Sequence, residues 1–374
     1  MPARGIVVVL ALSGLLGCSA PAAPAPAPPA ASAPAAATTA PAQAAPGQAA
    51  APTATVPAAS SGPITLKVGA NIGASDAGLF IGMERGYYAE QGLELDILPG
   101  SGSDQVAALA TGELDVGAGA MNAGLLNAMS RELPLRIVAD KGSTPPGFGY
   151  QAFVLRKDLA DSGQVRTWAD LRGRKIAAAS VRSSVDFLLA RGLGEVGLTI
   201  DDVEMVQIPY PNINAALANE AIDAAAFWEP LLTVGLDQGT LVRWKGADEI
   251  DPQQQSATLL YGPSFLTTNP DLGRRFMIAY VKAARLYNDA FRKRIGRDEI
   301  EAIIAKYTKV RPDIVARTVP VGLNPDGCAN AADLADQLAW FRAQGYISGD
   351  LDLDAILDNQ FCDQAVQQLG PYVY

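Results

Sequence analysis

Ala108-Leu109-Ala110-Thr111-Gly112-Glu113-Leu114-Asp115-Val116-Gly117 carries the end of a short helix (104–111) directly into an apolar strand (114–117). The same alternation continues outward on both sides. Upstream, 64–68 reads as a strand. The loop Gly73-Ala74-Ser75-Asp76-Ala77-Gly78 then opens a helix that runs to Glu90. Gln91-Gly92 ends that helix, because glycine accepts the left-handed conformation of a helix stop. A strand at 93–98 and the turn Gly100-Ser101-Gly102-Ser103 lead back to the opening stretch. Downstream come a helix at 120–131 and a strand at 135–139. This rhythm predicts an α/β fold whose sheets are mostly parallel and flanked by helices.

A second unit follows a strand at 151–156. Trp168-Ala169-Asp170-Leu171-Arg172-Gly173 reads as one helical turn before a strand at 175–178. A helix at 185–196, a strand at 203–208, a helix at 213–219 and a buried strand at 221–227 come next. Strands are expected at 240–244 and 258–261. From Asn269 onward the pattern is helical, at 270–293, 298–308, 330–344 and 359–369. Asn269-Pro270 and Asp298 are suited to helix starts.

Composition excludes several functions. The chain carries 29 Lys and Arg against 39 Asp and Glu, a net charge of −10. No long basic run is present, which argues against a nucleic-acid partner. Histidine is absent, so Ser-His-Asp and Cys-His catalysis, imidazole metal sites and a histidine pH switch are all ruled out. No metal or other cofactor is expected. Cys328 and Cys362 can pair in an exported protein, or sit as buried free thiols.

The N-terminus has a different character. Arg4 precedes an apolar run too short to span a bilayer, followed by Leu15-Leu16-Gly17-Cys18. This segment resembles a bacterial lipoprotein signal peptide, which implies cleavage after residue 17 and lipidation of Cys18. Ala, Pro, Ser, Thr and Gln dominate 19–62, and the first charge after Arg4 is Lys67. Such a stretch reads as a disordered tether holding the folded part at a membrane surface, outside the cytoplasm.

Four phrases in order carry a wider resemblance. They are Glu90-Gln91-Gly92-Leu93-Glu94-Leu95, the opening stretch 108–117, Trp168-Ala169-Asp170-Leu171-Arg172-Gly173-Arg174-Lys175-Ile176-Ala177, and Ala221-Ile222-Asp223-Ala224-Ala225-Ala226-Phe227-Trp228-Glu229-Pro230. Together they resemble the substrate-binding proteins of ABC importers, in the branch of the alkanesulfonate, taurine, nitrate, thiamin-pyrimidine and riboflavin receptors. The resemblance implies a two-lobed periplasmic-binding-protein fold of type II. Lobe 1 would be 64–151 plus 258–374, and lobe 2 would be 152–257, with a hinge between them. It also implies a monomer that works with a permease and an ATPase.

Ligands of open α/β sheets sit beyond the carboxyl ends of the strands, near helix N-termini. The candidates there are Ser75 and Asp76 in the first loop, Asn122 after the third strand, Ser180, Arg182 and Ser183 in the second lobe, and Trp228 with Glu229. Ser75 offers a hydroxyl, and Asp76 would repel an anion. Asn122 both donates and accepts. Trp228 can stack on a flat ring while Glu229 accepts from its N–H groups. Each has a plainer reading as a turn residue, a helix cap or a core side chain. Phe148, Tyr150, Tyr210 and Tyr261 are further aromatic wall candidates. The set favours a flat nitrogen heterocycle of the vitamin type, riboflavin first and the thiamin pyrimidine precursor second, over a sulfonate, taurine or nitrate. Fungal relatives of this fold make the thiamin pyrimidine with histidine and a cysteine cluster, which this chain lacks, so an enzyme is disfavoured.

Overall fold

The computed structural model describes residues 62–100 and 102–374, and only the backbone of 102–104. The expected signal segment, the lipidated Cys18 and nearly all of the Ala/Pro-rich tether lie outside the described residues. The strands are β1 (Ile64–Ala70), β2 (Leu93–Pro99), β3 (Val116–Gly119), β4 (Arg136–Ser143), β5 (Gln151–Arg156), β6 (Lys175–Ala178), β7 (Glu204–Gln207), β8 (Ala224–Trp228), β9 (Leu241–Gly246) and β10 (Gln255–Tyr261). They form two five-stranded sheets, ordered β2-β1-β3-β10-β4 and β7-β6-β8-β5-β9.

Both sheets are mixed. β1 pairs in parallel with β2 and β3, and β6 with β7 and β8, as strands joined by crossover helices do. β10 runs antiparallel to β3 and β4, and β5 antiparallel to β8 and β9. The cause is chain path. The chain leaves the first sheet through β4 and enters the second as β5; it leaves the second after β9 and returns as β10. An outgoing and a returning strand placed side by side must point in opposite directions. The two crossings are tied together where Thr144 N–H donates to the Gln254 carbonyl at 3.2 Å and Thr144 Oγ1 to the Asp251 carbonyl at 2.7 Å.

Local rules explain most element ends. Gly92 stops the helical segment with φ +65°, the left-handed value expected of it. Gly86, with φ +71°, divides the expected single helix into Ala77–Glu84 and Tyr87–Glu90. Asn122 caps the helix Ala123–Met129 with its Oδ1 on Leu125 N–H at 3.0 Å, so that helix starts three residues after 120.

Each sheet is covered on both faces. In the first lobe the 23-residue helix Pro270–Arg292 lies on one face, burying Phe276, Tyr280 and Tyr287 among Leu66, Val68 and Phe80. Leu126, Leu334 and Phe341 cover the other face. The helix Ala77–Glu84 packs tightly against the long helix. A Cβ on Gly78 would lie 2.6 Å from Cε2 of the buried Tyr280. Gly78→Ala is therefore expected to cost ~1–3 kcal/mol by overpacking, read as a lower urea midpoint with unchanged m-value.

Three buried aspartates add a pH dependence. Asp140 accepts from Gly142 and Asn324 N–H, and Asp333 accepts from Gln255 N–H at 2.7 Å. Asp186 accepts from Ser183 N–H at 2.7 Å at the start of the helix Ser184–Gly194. Burial pushes all three carboxyls up to about 6 from 3.8. The folded state therefore binds more protons than the unfolded chain between these values, and their contribution to stability is lost as pH rises through 6. Glu84, Asp158 and Asp237 are lowered by hydrogen-bonded cations, so their contribution fades only as pH falls through and below the ordinary carboxylate range. The melting temperature is expected to be highest near pH ~4 and to fall from there toward pH ~7.5. A melting temperature climbing steadily across that interval would contradict this.

Candidate ligand-binding site

Both sheets aim strand ends at one cavity of about 280 Å³. Its wall from the first lobe is the turn after β1, including Ser75, with Ala120 and with Ser256 and Ala257 of β10. The second lobe contributes Tyr210 and the stretch 228–231 at the end of β8. Tyr150, just before β5, closes the space between them.

The aromatic side is built from alternation along β8. Phe227 points into the lobe core, fully buried among Val154, Ile213 and Leu232. Trp228 points the other way and meets Tyr210 edge-on, with ring centroids 4.6 Å apart. Tyr150 is held by a chain of hydrogen bonds: its hydroxyl lies 2.9 Å from Ser256 Oγ, which donates to the Gly142 carbonyl at 2.8 Å. Of the other aromatic candidates, Tyr261 is buried in the first core and Phe148 lies beneath the Arg292 guanidinium at 4.4 Å.

Glu229 is the carboxylate in the wall, only 3% exposed. Its Oε2 accepts from Thr233 N–H at 3.1 Å and from Thr233 Oγ1 at 2.8 Å. Val319 N–H of the first lobe reaches Oε1 at 3.4 Å. Burial raises its proton affinity, and the Thr233 bonds partly offset this. Among the described residues, the cavity wall contains no Lys or Arg.

Asp76 does not line the cavity. It is fully buried, with Oδ1 2.9 Å from the ammonium of Lys141, and its Oδ2 accepts from Gly73 N–H at 2.9 Å. Lys141 also donates to Ser75 Oγ at 2.8 Å. Sequence reasoning missed Lys141. Its one signal was a lone cation directly after an apolar strand, and its partners lie 66 residues upstream or just short of that.

The other candidates sit where the lobes touch, outside this cavity. Asn122 and Ser183 face one another in an antiparallel bridge. Ala123 N–H donates to the Arg182 carbonyl at 2.9 Å, and Ser184 N–H to the Met121 carbonyl at 3.0 Å. Two helix N-termini, the usual anion sites of such folds, are thus joined to each other and capped by Asn122, Ser183 and Asp186. Ser180 accepts from Ser183 Oγ at 3.0 Å through its carbonyl. Arg182 is exposed and lies over the Tyr346 ring at 5.4 Å. Arg317 adds a two-pronged bond to Asp237 across the lobes, at 2.7 and 2.6 Å.

Cys328 and Cys362 form a disulfide with a Cα–Cα distance of 5.3 Å. Among the described residues, the one grouping of cysteine and acidic side chains with metal-ligand spacing is these two with Asp363. A disulfide sulfur is no thiolate ligand.

Known proteins match this architecture. A candidate binding protein of Brucella abortus is 29% identical over 233 residues, spanning 62% of this chain and 67% of that protein. The alkanesulfonate-binding protein of Xanthomonas axonopodis pv. citri, solved bound to MOPS, superposes with a TM-score of 0.63 at 21% identity, over 79% of this chain and 99% of that one. The nitrate-binding protein of Synechocystis PCC 6803 gives 0.67 at 15% identity, over 82% and 89%. These likenesses are of fold, and they agree with the two-lobed architecture expected from the sequence. The family model described as "NMT1/THI5 like" matches residues 74–290, and the chain belongs to that family.

Proposed function

We propose that this protein is the extracytoplasmic solute receptor of an ABC importer. It holds a small flat nitrogen heterocycle between its lobes and passes it unaltered to a permease driven by an ATPase. The halves 64–151 with 258–374, and 152–257, close on the ligand as a monomer. The lipidated Cys18 and the tether that follows keep the folded part at the membrane. Family membership and the binding proteins among its relatives support the receptor role.

The observation that carries the ligand class is the composition of the cavity wall. Trp228 and Tyr210 offer an aromatic corner, Glu229 offers a buried acceptor, and among the described residues none in the wall offers a cation. A sulfonate or nitrate needs donors and positive charge. Here the buried ammonium behind the wall, Lys141, is already paired with Asp76. Two helix N-termini, those at Ala123 and Ser184, are occupied by their own caps and by each other. A ring with N–H groups matches the wall better, with riboflavin first and the thiamin pyrimidine precursor second. The absence of histidine removes the chemistry that the fungal pyrimidine synthases use.

Titration calorimetry and tryptophan quenching with riboflavin, the thiamin pyrimidine precursor, taurine and nitrate test this reading. One heterocycle is expected to bind, and Trp228→Ala to weaken it about tenfold through lost stacking. Tight taurine or nitrate binding with neither heterocycle bound would reject the ligand class. Affinity is further expected to fall as the solution is acidified. The Glu229 carboxyl, whose proton affinity is raised, gains a proton there and stops accepting the ligand's N–H. Glu229→Gln should remove that pH dependence.

A further inference from the structure

Lys141 is a fully buried charge close to the cavity that touches none of the space inside it. Side chains alternate along β4, so Asp140 and Lys141 leave the strand on opposite sides. Asp140 faces Gln255 and Asn324. Lys141 faces the turn after β1, where its Nζ meets Asp76 Oδ1 at 2.9 Å and Ser75 Oγ at 2.8 Å. Both partners of the ion pair have side chains of 0% exposure.

An ammonium has donors and no acceptor. Ser75 Oγ therefore accepts a hydrogen bond from Lys141, and its own hydroxyl proton must point elsewhere. Among the described residues no protein acceptor takes that proton, while Ser75 itself is half-buried and lines the cavity. The neighbouring Ser256 hydroxyl is in a different state: it sits against the Tyr150 hydroxyl and donates to the Gly142 carbonyl. Thr308, the remaining hydroxyl of the first-lobe wall, donates to the Ile304 carbonyl at 2.8 Å. Among the described residues, Ser75 is thus the first-lobe wall hydroxyl left with a free proton; in the opposite wall the Tyr210 hydroxyl also has no protein partner. Across the cavity, Glu229 is an acceptor.

We propose that Lys141 sets the hydrogen-bond polarity of the cavity by making Ser75 a donor toward the ligand, opposite the Glu229 acceptor. The site then selects a flat molecule with an acceptor, a ring nitrogen or a carbonyl, toward the first lobe and an N–H donor toward the second. Asp76 cancels the Lys141 charge, so the ammonium orients Ser75 without making the cavity an anion site. Lys141 is a positioning residue that acts through Ser75. The inference rests on the receptor role proposed above.

Two measurements test it. A neutron diffraction map of the unliganded protein reads the Ser75 hydroxyl directly. Its deuterium is expected to point into the cavity, and a deuterium directed at Asp76 or another protein oxygen would overturn the proposal whatever the ligand is. Binding is then compared for two probes: 4-amino-5-hydroxymethyl-2-methylpyrimidine and its analogue with both ring nitrogens replaced by C–H. The wild type is expected to prefer the pyrimidine about tenfold, and Ser75→Ala to abolish the preference. Lys141→Met combined with Asp76→Asn removes both buried charges and leaves Ser75 in place. Its preference should shrink to about twofold while its circular dichroism spectrum stays native. A folded double variant that discriminates as the wild type does would overturn the proposal. Failure of the wild type to bind either probe or riboflavin would instead reject the heterocycle ligand class proposed above, with the neutron map still deciding the orientation of Ser75.

Discussion

The chain crosses between its two sheets twice, and strands that carry it out and back must lie antiparallel. From this follow the mixed sheets, with β10 inserted between β3 and β4 and β5 between β8 and β9. It also places the cleft chemistry. Lys141 lies near the outgoing end of β4, Tyr150 at the entry to β5, and Ser256 at the start of β10. Tyr150 and Ser256 are 106 residues apart along the chain, yet they share a hydrogen bond at 2.9 Å. A cavity at such a crossing has walls from both lobes, so relative motion of the lobes must alter its shape.

Charge around the cleft is arranged by pairing. The Lys141–Asp76 pair is buried in the first lobe, where an isolated ion would cost several kcal/mol. Pairing lets each ion remain, and the ammonium has donors left for Ser75. The N-termini of Ala123–Met129 and Ser184–Gly194 meet across the lobes and satisfy each other's backbone groups. These two N-termini are therefore already engaged. The cavity wall itself holds the aromatic faces of Trp228 and Tyr210 and the buried Glu229 carboxylate.

Much of the fold was legible because short-range rules act within a few residues. The strand Lys175–Ala178 and the helix Pro270–Arg292 follow from apolar runs, a Pro at the first helical turn and the length of the periodic pattern. Gly92 announces its left-handed stop. Gly86 takes the same conformation and breaks the helix, but a glycine inside a helical pattern does not reveal whether the helix tolerates it. In the site, Ser75, Trp228 and Glu229 were recognisable as polar or aromatic residues at strand ends.

What the sequence by itself determined is residue chemistry and local conformation: an α/β alternation, no histidine, and an aromatic–carboxylate pair ending a buried strand. Only the tertiary structure decided which groups are free to meet a ligand. Asp76 is neutralised by a lysine 65 positions away in the numbering, and Asn122 and Ser183 are spent on joining the lobes. Hydrogen bonds and ion pairs are consumed by whichever partner lies within about 3 Å, and that proximity is a property of the folded chain path.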